Sequence, residues 1–181
     1  YPFRSRILNI TPYPSLFKIE KIKPIILFRE PFEWIVSRYC WYENIKFQNT
    51  DTVDEFLIQY DLDNYNNYLS YWLNYVKNDK NNQYLLIEFE NVIKEDKKTF
   101  LKILNFLNYE ILEEKKINHI LRVNSKEFAL ENLGKKFMGT RFTDNRKKED
   151  IKKKIFKFSS QYLEKNKINE TYIKLKNSIK I

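Results

Sequence analysis

The sequence is poor in the residues that form disulfides, metal centres and flexible turns. Its 181 residues include one cysteine, Cys40, one histidine, His119, and two glycines. A single cysteine excludes an internal disulfide, and so few cysteine and histidine residues give no metal cluster. His119 lies in a predicted helix, far along the chain from the other candidate site residues, and we interpret it as a surface or packing residue.

Long apolar runs are also absent. No stretch approaches the ~20 apolar residues that a membrane-spanning helix needs, and no signal peptide is visible. The cytoplasm is therefore the expected location by default. Because the sequence begins with Tyr1 rather than Met, we expect part of the amino terminus to be missing.

Aromatic and basic residues, by contrast, are abundant. Aromatic residues make up 17% and hydrophobic residues 43% of a chain that is long enough for one domain with a sizeable core. The formal net charge of +9 suits an anionic ligand, and by itself it suits a nucleic acid equally well. We attribute most of this charge to a lysine-rich solvated surface.

One segment combines a buried strand, an arginine and a helix start. The four apolar residues 25–28 predict a strand buried on both faces, and Arg29 follows at its carboxyl end. Pro31 suits the first position of a helix, where its missing N–H costs nothing. Ser37 lies about two turns into that helix. Arg29 can bind two oxygens of a phosphate, and the Ser37 hydroxyl can donate to a third.

This R-x-P-x5-S spacing behind an apolar strand resembles the 3′-phosphate-binding segment of sulfotransferases. The wording REPFEWIVSRY is also similar to that segment in carbohydrate sulfotransferases. The resemblance implies that Arg29 and Ser37 hold the 3′-phosphate of 3′-phosphoadenosine 5′-phosphosulfate (PAPS). The alternative is an ordinary strand–helix junction with a solvated arginine and a surface serine.

A second segment of the sequence resembles the same family. Residues 84–89, which are apolar apart from Glu88, predict a strand, and Phe89-Glu90-Asn91-Val92 is similar to the family's YEDL segment. The resemblance implies that Phe89 lies near the adenine of the cofactor, where a phenyl ring can stack on a purine. The alternative is that Phe89 simply packs in the core.

Both glycines of the chain lie between residues 134 and 139. There they bracket Lys135 and Lys136, and the backbone at Gly139 could approach a ligand closely. The family has a late Arg-Lys-Gly segment that closes over the 3′-phosphate, and this segment resembles it loosely. We therefore expect Lys135, Lys136 and Gly139 on a loop that is mobile without ligand. A helix C-cap at Gly134 followed by a basic loop is the alternative.

Two parts of the family pattern are not found. Many sulfotransferases carry a catalytic histidine in an early Thr-His-x-Pro segment, and Ile10 occupies that position here. The loop that cradles the 5′-phosphosulfate does not precede Ile25. The catalytic residues are therefore unassigned, and the resemblance covers about the carboxyl-terminal two-thirds of a typical family domain.

The remaining elements follow from apolar spacing and capping signals. We expect the strands at 25–28 and 84–88 to be parallel neighbours in the centre of the sheet, because a long helical connection separates them. The predicted helices after the one at Pro31 span residues 52–60, 63–76, 95–107, 113–122, 125–133, 147–165 and 170–179.

The resulting prediction is an α/β fold: one P-loop-like, three-layer α/β/α domain over residues 1–181, with a central parallel sheet and a helix-rich carboxyl-terminal part. The resemblance implies a sulfotransferase that uses PAPS and no metal, and whose acceptor is a hydroxyl or amine, with carbohydrates among the candidates. No nucleic-acid partner is expected. The alternatives are a non-catalytic basic module that binds nucleic acid or acidic glycan, and a degenerate P-loop nucleotide-binding protein.

Overall fold

The computed structural model describes residues 23–44, 54–79, 84–94, 96–110, 113–123, 128 and 145–179. The segment around Ile10 and the loop with Lys135, Lys136 and Gly139 lie outside these residues, as does the helix expected at 125–133 apart from Phe128. No helix among the described residues is both long enough and apolar enough to cross a membrane.

Two strands and seven helices make up the described part of the chain. In chain order they are β1 (Ile25–Phe28), α1 (Pro31–Asn44), α2 (Glu55–Asn78), β2 (Leu85–Glu88), α3 (Phe89–Lys94), α4 (Asp96–Phe106), α5 (Glu114–Val123), α6 (Asn145–Lys165) and α7 (Ile168–Lys176).

The strands β1 and β2 pair in parallel, as the sequence predicted. The register aligns Ile25 with Leu85 and Phe28 with Glu88. These two strands are the whole sheet within the described residues, so the three-layer arrangement and the central position of the strands stay predictions. The small parallel sheet and the many helices agree with a P-loop-like α/β fold.

The expectation that β1 is buried on both faces is wrong. Ile26 and Phe28 are buried in the core, whereas Ile25 and Leu27 are 41% and 46% exposed. Alternate side chains of a strand point to opposite faces, so one face of β1 is covered and the other is largely open. An unbroken apolar run therefore does not show whether a strand is buried on one face or on both.

Helix α1 begins at Pro31, as its position after β1 predicted. Glu30 caps the helix, because its carboxylate accepts hydrogen bonds from the backbone N–H groups of Phe32 (3.0 Å) and Glu33 (2.7 Å). These bonds satisfy two of the N–H groups that a helix start leaves unpaired, and the negative charge suits the helix dipole. The helix start is thus fixed immediately after Arg29.

Helix α2 is one continuous helix, which corrects the prediction of two helices with a break near residue 61. It begins after Asp54, whose side chain accepts a hydrogen bond from the Leu57 N–H, so the cap is Asp54 rather than Thr52. Asp61, which falls in the predicted break, is part of the helix. It is buried and accepts hydrogen bonds from Arg38 Nε (3.2 Å) and the Tyr42 hydroxyl (2.8 Å).

The core forms where α1, α2, α6 and α7 pack against the covered face of β1. The predicted aromatic stripe of α2 belongs to it, because Tyr65 and Trp72 are buried and the partly buried Tyr68 and Tyr75 pack against it. The hydrophobic core side chains with at most 2% exposure are Ile26, Phe28, Ile35, Val36, Tyr39, Ile58, Leu62, Leu69, Ile151, Ile155, Leu163, Ile168 and Leu175.

Several other helix boundaries differ from the sequence expectations by a few residues. The short helix α3 directly follows β2 and precedes α4, whereas one helix from residue 95 was expected. Helix α6 begins at Asn145 and α7 at Ile168, each two residues before its predicted start. His119 is exposed on α5, in agreement with its interpretation as a surface residue.

The buried pair of Arg38 and Asp61 yields a stability prediction. Replacing Arg38 by Met leaves the Asp61 carboxylate buried beside one neutral donor, so the free energy of unfolding should fall by about 3 kcal/mol. The stacking of the Arg38 guanidinium on the rings of Trp41 and Tyr42, at 4.8 and 4.7 Å, would be lost as well. Urea unfolding measures the difference.

The control for this substitution is Lys174→Met. Lys174 belongs to an exposed pair with Glu170 at 3.8 Å, and its loss should cost less than about 1 kcal/mol. Equal losses for the two variants would show that the buried pair on α1 and α2 contributes no more than a surface contact.

Candidate functional site

The carboxyl ends of β1 and β2 bring Arg29 and Phe89 together. The strands are in register up to Phe28 and Glu88, so the next residues of the two segments leave the sheet at the same edge. The Arg29 guanidinium carbon lies 4.8 Å from the centroid of the Phe89 ring, and Arg29 Nε donates to Glu90 Oε1 at 3.1 Å. Ligands of open α/β sheets bind at this kind of edge.

The backbone of Arg29 is held by Tyr65 of α2. The Arg29 N–H donates to the Tyr65 hydroxyl at 2.8 Å, and that hydroxyl donates to the Arg29 carbonyl at 2.6 Å. Trp34 stacks on the Tyr65 ring with centroids 4.3 Å apart and an interplanar angle of 5°. Burial raises the pKa of Tyr65, so its hydroxyl stays protonated and can keep both bonds. Arg29 therefore leaves the strand in a fixed direction.

Glu33, in the first turn of α1, contacts three cations. Its carboxylate lies 2.6 Å from Lys152 Nζ, 3.0 Å from Lys148 Nζ and 3.5 Å from Arg29 Nη2. Burial by itself would raise the pKa of Glu33, but the hydrogen bonds and charges of Lys152 and Lys148 outweigh it and lower the pKa. Glu33 is therefore ionised at neutral pH and ties α6 to α1.

Ser37 lies one turn beyond Glu33 and is exposed. Glu33 and Ser37 lie four residues apart and so share one side of α1, and Glu33 contacts Arg29, which precedes the helix. Phe89 is half-buried at the start of α3. The structure thus brings Arg29 and Phe89 into contact and places Ser37 two turns along α1.

A second carboxylate at the same edge of the sheet, that of Glu88, is occupied by contacts within the protein. The buried Glu88 carboxylate accepts hydrogen bonds from the Tyr172 hydroxyl and from Lys176 Nζ, the latter at 2.7 Å. Burial and the charge of Glu88 raise the pKa of Tyr172. These contacts anchor α7 to the end of β2. Nearby, Glu90 Oε2 is buried and accepts no hydrogen bond within the described part of the chain.

Sequence reasoning missed the residues that surround Arg29. These are Tyr65, Glu33, Glu90, Lys148 and Lys152. One signal for Glu33 was present, because it follows Arg29 at the i,i+4 spacing that favours an ion pair. Lys148 and Lys152 show the same spacing on a helix that was recognised as basic, but only the folded chain reveals which carboxylate they face.

Comparison with known proteins assigns the chain to a family. The family model described as "Sulfotransferase domain" matches residues 5–175, which is nearly the whole sequence. The chain therefore belongs to the sulfotransferase family, as the residues around Arg29 and Phe89 suggested. No curated protein and no solved structure matches it.

The lowered pKa of Glu33 predicts how its ion pairs respond to pH. A carboxyl group whose folded pKa lies below its ordinary value of 4.5 stabilises the fold above about pH 4.5, and this contribution is lost as the pH falls through the folded pKa. Glu33→Gln should therefore lower the free energy of unfolding at pH 7 and cost progressively less toward pH 3.5. Urea unfolding across this range measures the effect.

Glu170→Gln is the matched control, because it removes a carboxylate from the exposed pair with Lys174. Its cost should be small at every pH. A cost for Glu33→Gln that stayed constant between pH 7 and pH 3.5 would mean that the ion pairs of Glu33 do not stabilise the fold.

Proposed function

We propose that residues 1–181 form a single sulfotransferase domain that moves a sulfuryl group from PAPS to a hydroxyl or amine, with carbohydrates among the candidate acceptors. The observation that carries this proposal is the position of Arg29. It stands at the carboxyl end of a parallel strand, with its backbone held by Tyr65 and its side chain near the start of α1. Membership of the sulfotransferase family supports the same chemistry.

Arg29 would bind the 3′-phosphate of PAPS. Within the described residues its side-chain contacts use Nε and Nη2, so Nη1 is left to donate to a ligand. An arginine–phosphate pair is charge-assisted and commonly bidentate, which gives it direction as well as strength. The exposed hydroxyl of Ser37 would donate to the same phosphate from α1.

The adenine would lie beside Phe89. The guanidinium of Arg29 packs on this ring at 4.8 Å, so a purine would use another part of the half-buried phenyl surface. Arg29 would then contact both the phenyl ring beside the adenine and the 3′-phosphate. Lys135, Lys136 and Gly139 are proposed to close over that phosphate from their own loop.

The reaction itself needs positioning and charge stabilisation. The acceptor oxygen or nitrogen attacks sulfur, the bond from sulfur to the 5′-phosphate oxygen breaks, and the acceptor gives up its proton to a base that we leave unassigned. Adenosine 3′,5′-bisphosphate is the leaving group. By analogy with phosphoryl transfer, fixed cationic and hydrogen-bond donors would stabilise the charge that develops on the bridging oxygen.

The test of the 3′-phosphate assignment is Arg29→Ala. We expect it to weaken binding of adenosine 3′,5′-bisphosphate by tenfold to several hundredfold, because charge-assisted hydrogen bonds contribute roughly 1.5–3 kcal/mol each. The affinity for AMP, which has no 3′-phosphate, should fall much less. Arg29→Lys should recover part of the affinity, since an ammonium cannot form the planar fork, and Ser37→Ala should cost less than Arg29→Ala. Calorimetric titration at fixed ionic strength measures these affinities.

Arg122→Ala on the exposed surface of α5 removes the same charge far from Arg29 in sequence and serves as the control. It should leave both affinities within about twofold. Equal losses of bisphosphate and AMP in Arg29→Ala would overturn the assignment. Steeply salt-dependent binding of oligonucleotides without preference for the bisphosphate would instead favour the basic binding module.

A further inference from the structure

The carboxylate of Glu33 is shared by more positive charge than one carboxylate neutralises. Lys148, Lys152 and Arg29 all reach it within 3.5 Å, and the arginine has a second acidic partner in Glu90. Lys152 also lies 3.4 Å from the exposed Glu149. A single ion pair would be enough to join α6 to α1, so the convergence of three cations on the Glu33 carboxylate calls for another explanation.

This cation group is partly open to water. The side chains of Glu33, Lys148 and Lys152 are 27%, 31% and 25% exposed, respectively, so the group is desolvated on one side and accessible on the other. Interactions between charges strengthen where part of the water is excluded. A phosphate monoester offers three terminal oxygens and up to two negative charges, and it would match three cations better than a carboxylate does.

The position of the group connects it with the proposed ligand. Glu33 lies one turn of α1 after Arg29 and one turn before Ser37, the two residues proposed to hold the 3′-phosphate. Lys148 and Lys152 occupy successive turns of α6, so both ammonium groups face the same stretch of α1. A phosphate that bridges Arg29 and Ser37 would come within reach of both lysines.

We propose that Lys148 and Lys152 are binding residues for the 3′-phosphate, and that the Glu33 carboxylate is an internal anion that holds these cations in the empty site and is displaced by the phosphate. This inference rests on the proposed function. The lysines stay in position before the ligand arrives, because Glu33 orients their flexible side chains. The same carboxylate competes with the phosphate and so limits how tightly the bisphosphate product is held.

The sign of one substitution separates this role from a purely structural one. Glu33→Gln removes the competing charge but keeps an amide oxygen that accepts hydrogen bonds from the lysine ammonium groups, so the affinity for adenosine 3′,5′-bisphosphate should rise by roughly threefold to thirtyfold. The affinity for AMP should change by less than about threefold, because AMP has no phosphate at this position. If Glu33 served only to join α6 to α1, its loss would loosen the site, and bisphosphate binding would weaken.

The lysines are tested by a double substitution with two matched controls. Lys148→Gln with Lys152→Gln should weaken bisphosphate binding by about tenfold or more and affect AMP much less. Lys148→Arg with Lys152→Arg keeps both charges and should retain most of the affinity. Lys153→Gln changes an exposed lysine of the same helix and should leave binding within about twofold. Circular dichroism establishes which variants fold.

Different results would overturn this inference and the proposed function. Weaker bisphosphate binding in Glu33→Gln, or equal effects of the double Gln variant and Lys153→Gln, would overturn the inference. If the double Gln variant does not fold, each single Gln variant must still weaken bisphosphate binding for the inference to stand. An Arg29→Ala variant that binds bisphosphate normally would reject the proposed function itself.

Discussion

The parallel pairing of β1 with β2 is the constraint on which the candidate site depends. Because Phe28 stands opposite Glu88, both strands end at one edge, and the residues that follow them meet there. Arg29 and Phe89 are therefore neighbours although 59 intervening residues separate them in the sequence. A register shift of one residue would move each side chain to the other face of the sheet and separate the guanidinium from the ring.

Contacts from the helices convert this edge into an ordered site. Tyr65 of α2 holds the N–H and carbonyl groups of Arg29, and Glu30 caps α1 directly after it. Two buried polar clusters secure the surrounding helices: Asp61 with Arg38 and Tyr42, and Glu88 with Tyr172 and Lys176. In each of these clusters several donors converge on one buried carboxylate. The group around Glu33 differs, because it is partly open to water and three cations converge on its carboxylate.

The sequence predicted the features whose causes are local. Four apolar residues, an arginine and Pro31 were sufficient for β1 and the start of α1, and apolar spacing alone gave α6 nearly complete. The continuity of α2 was missed, because the predicted break between residues 60 and 63 falls on Asp61, which lies buried inside the helix. Its actual role depends on Arg38, which lies 23 residues earlier. A partner this distant in the sequence cannot be inferred from the spacing of nearby residues.

The same limit applies to the candidate site. Arg29, Ser37 and Phe89 were found because they belong to short motifs next to predicted strands. Lys148 was not, because 115 residues separate it from Glu33 and many lysines of the chain are equally basic. Only the packing of α6 against α1 shows that Lys148 and Lys152 are the two lysines that face Glu33. The exposed face of β1 was missed for a related reason. Whether a strand face is buried depends on which elements, distant in the sequence, pack against it.

The most direct test of the proposed site is the crystal structure of the chain in complex with adenosine 3′,5′-bisphosphate. We expect 3′-phosphate oxygens within about 3 Å of the Arg29 guanidinium, with the adenine beside Phe89. A bisphosphate bound away from the carboxyl ends of β1 and β2, with Arg29 still paired only to Glu33 and Glu90, would contradict it.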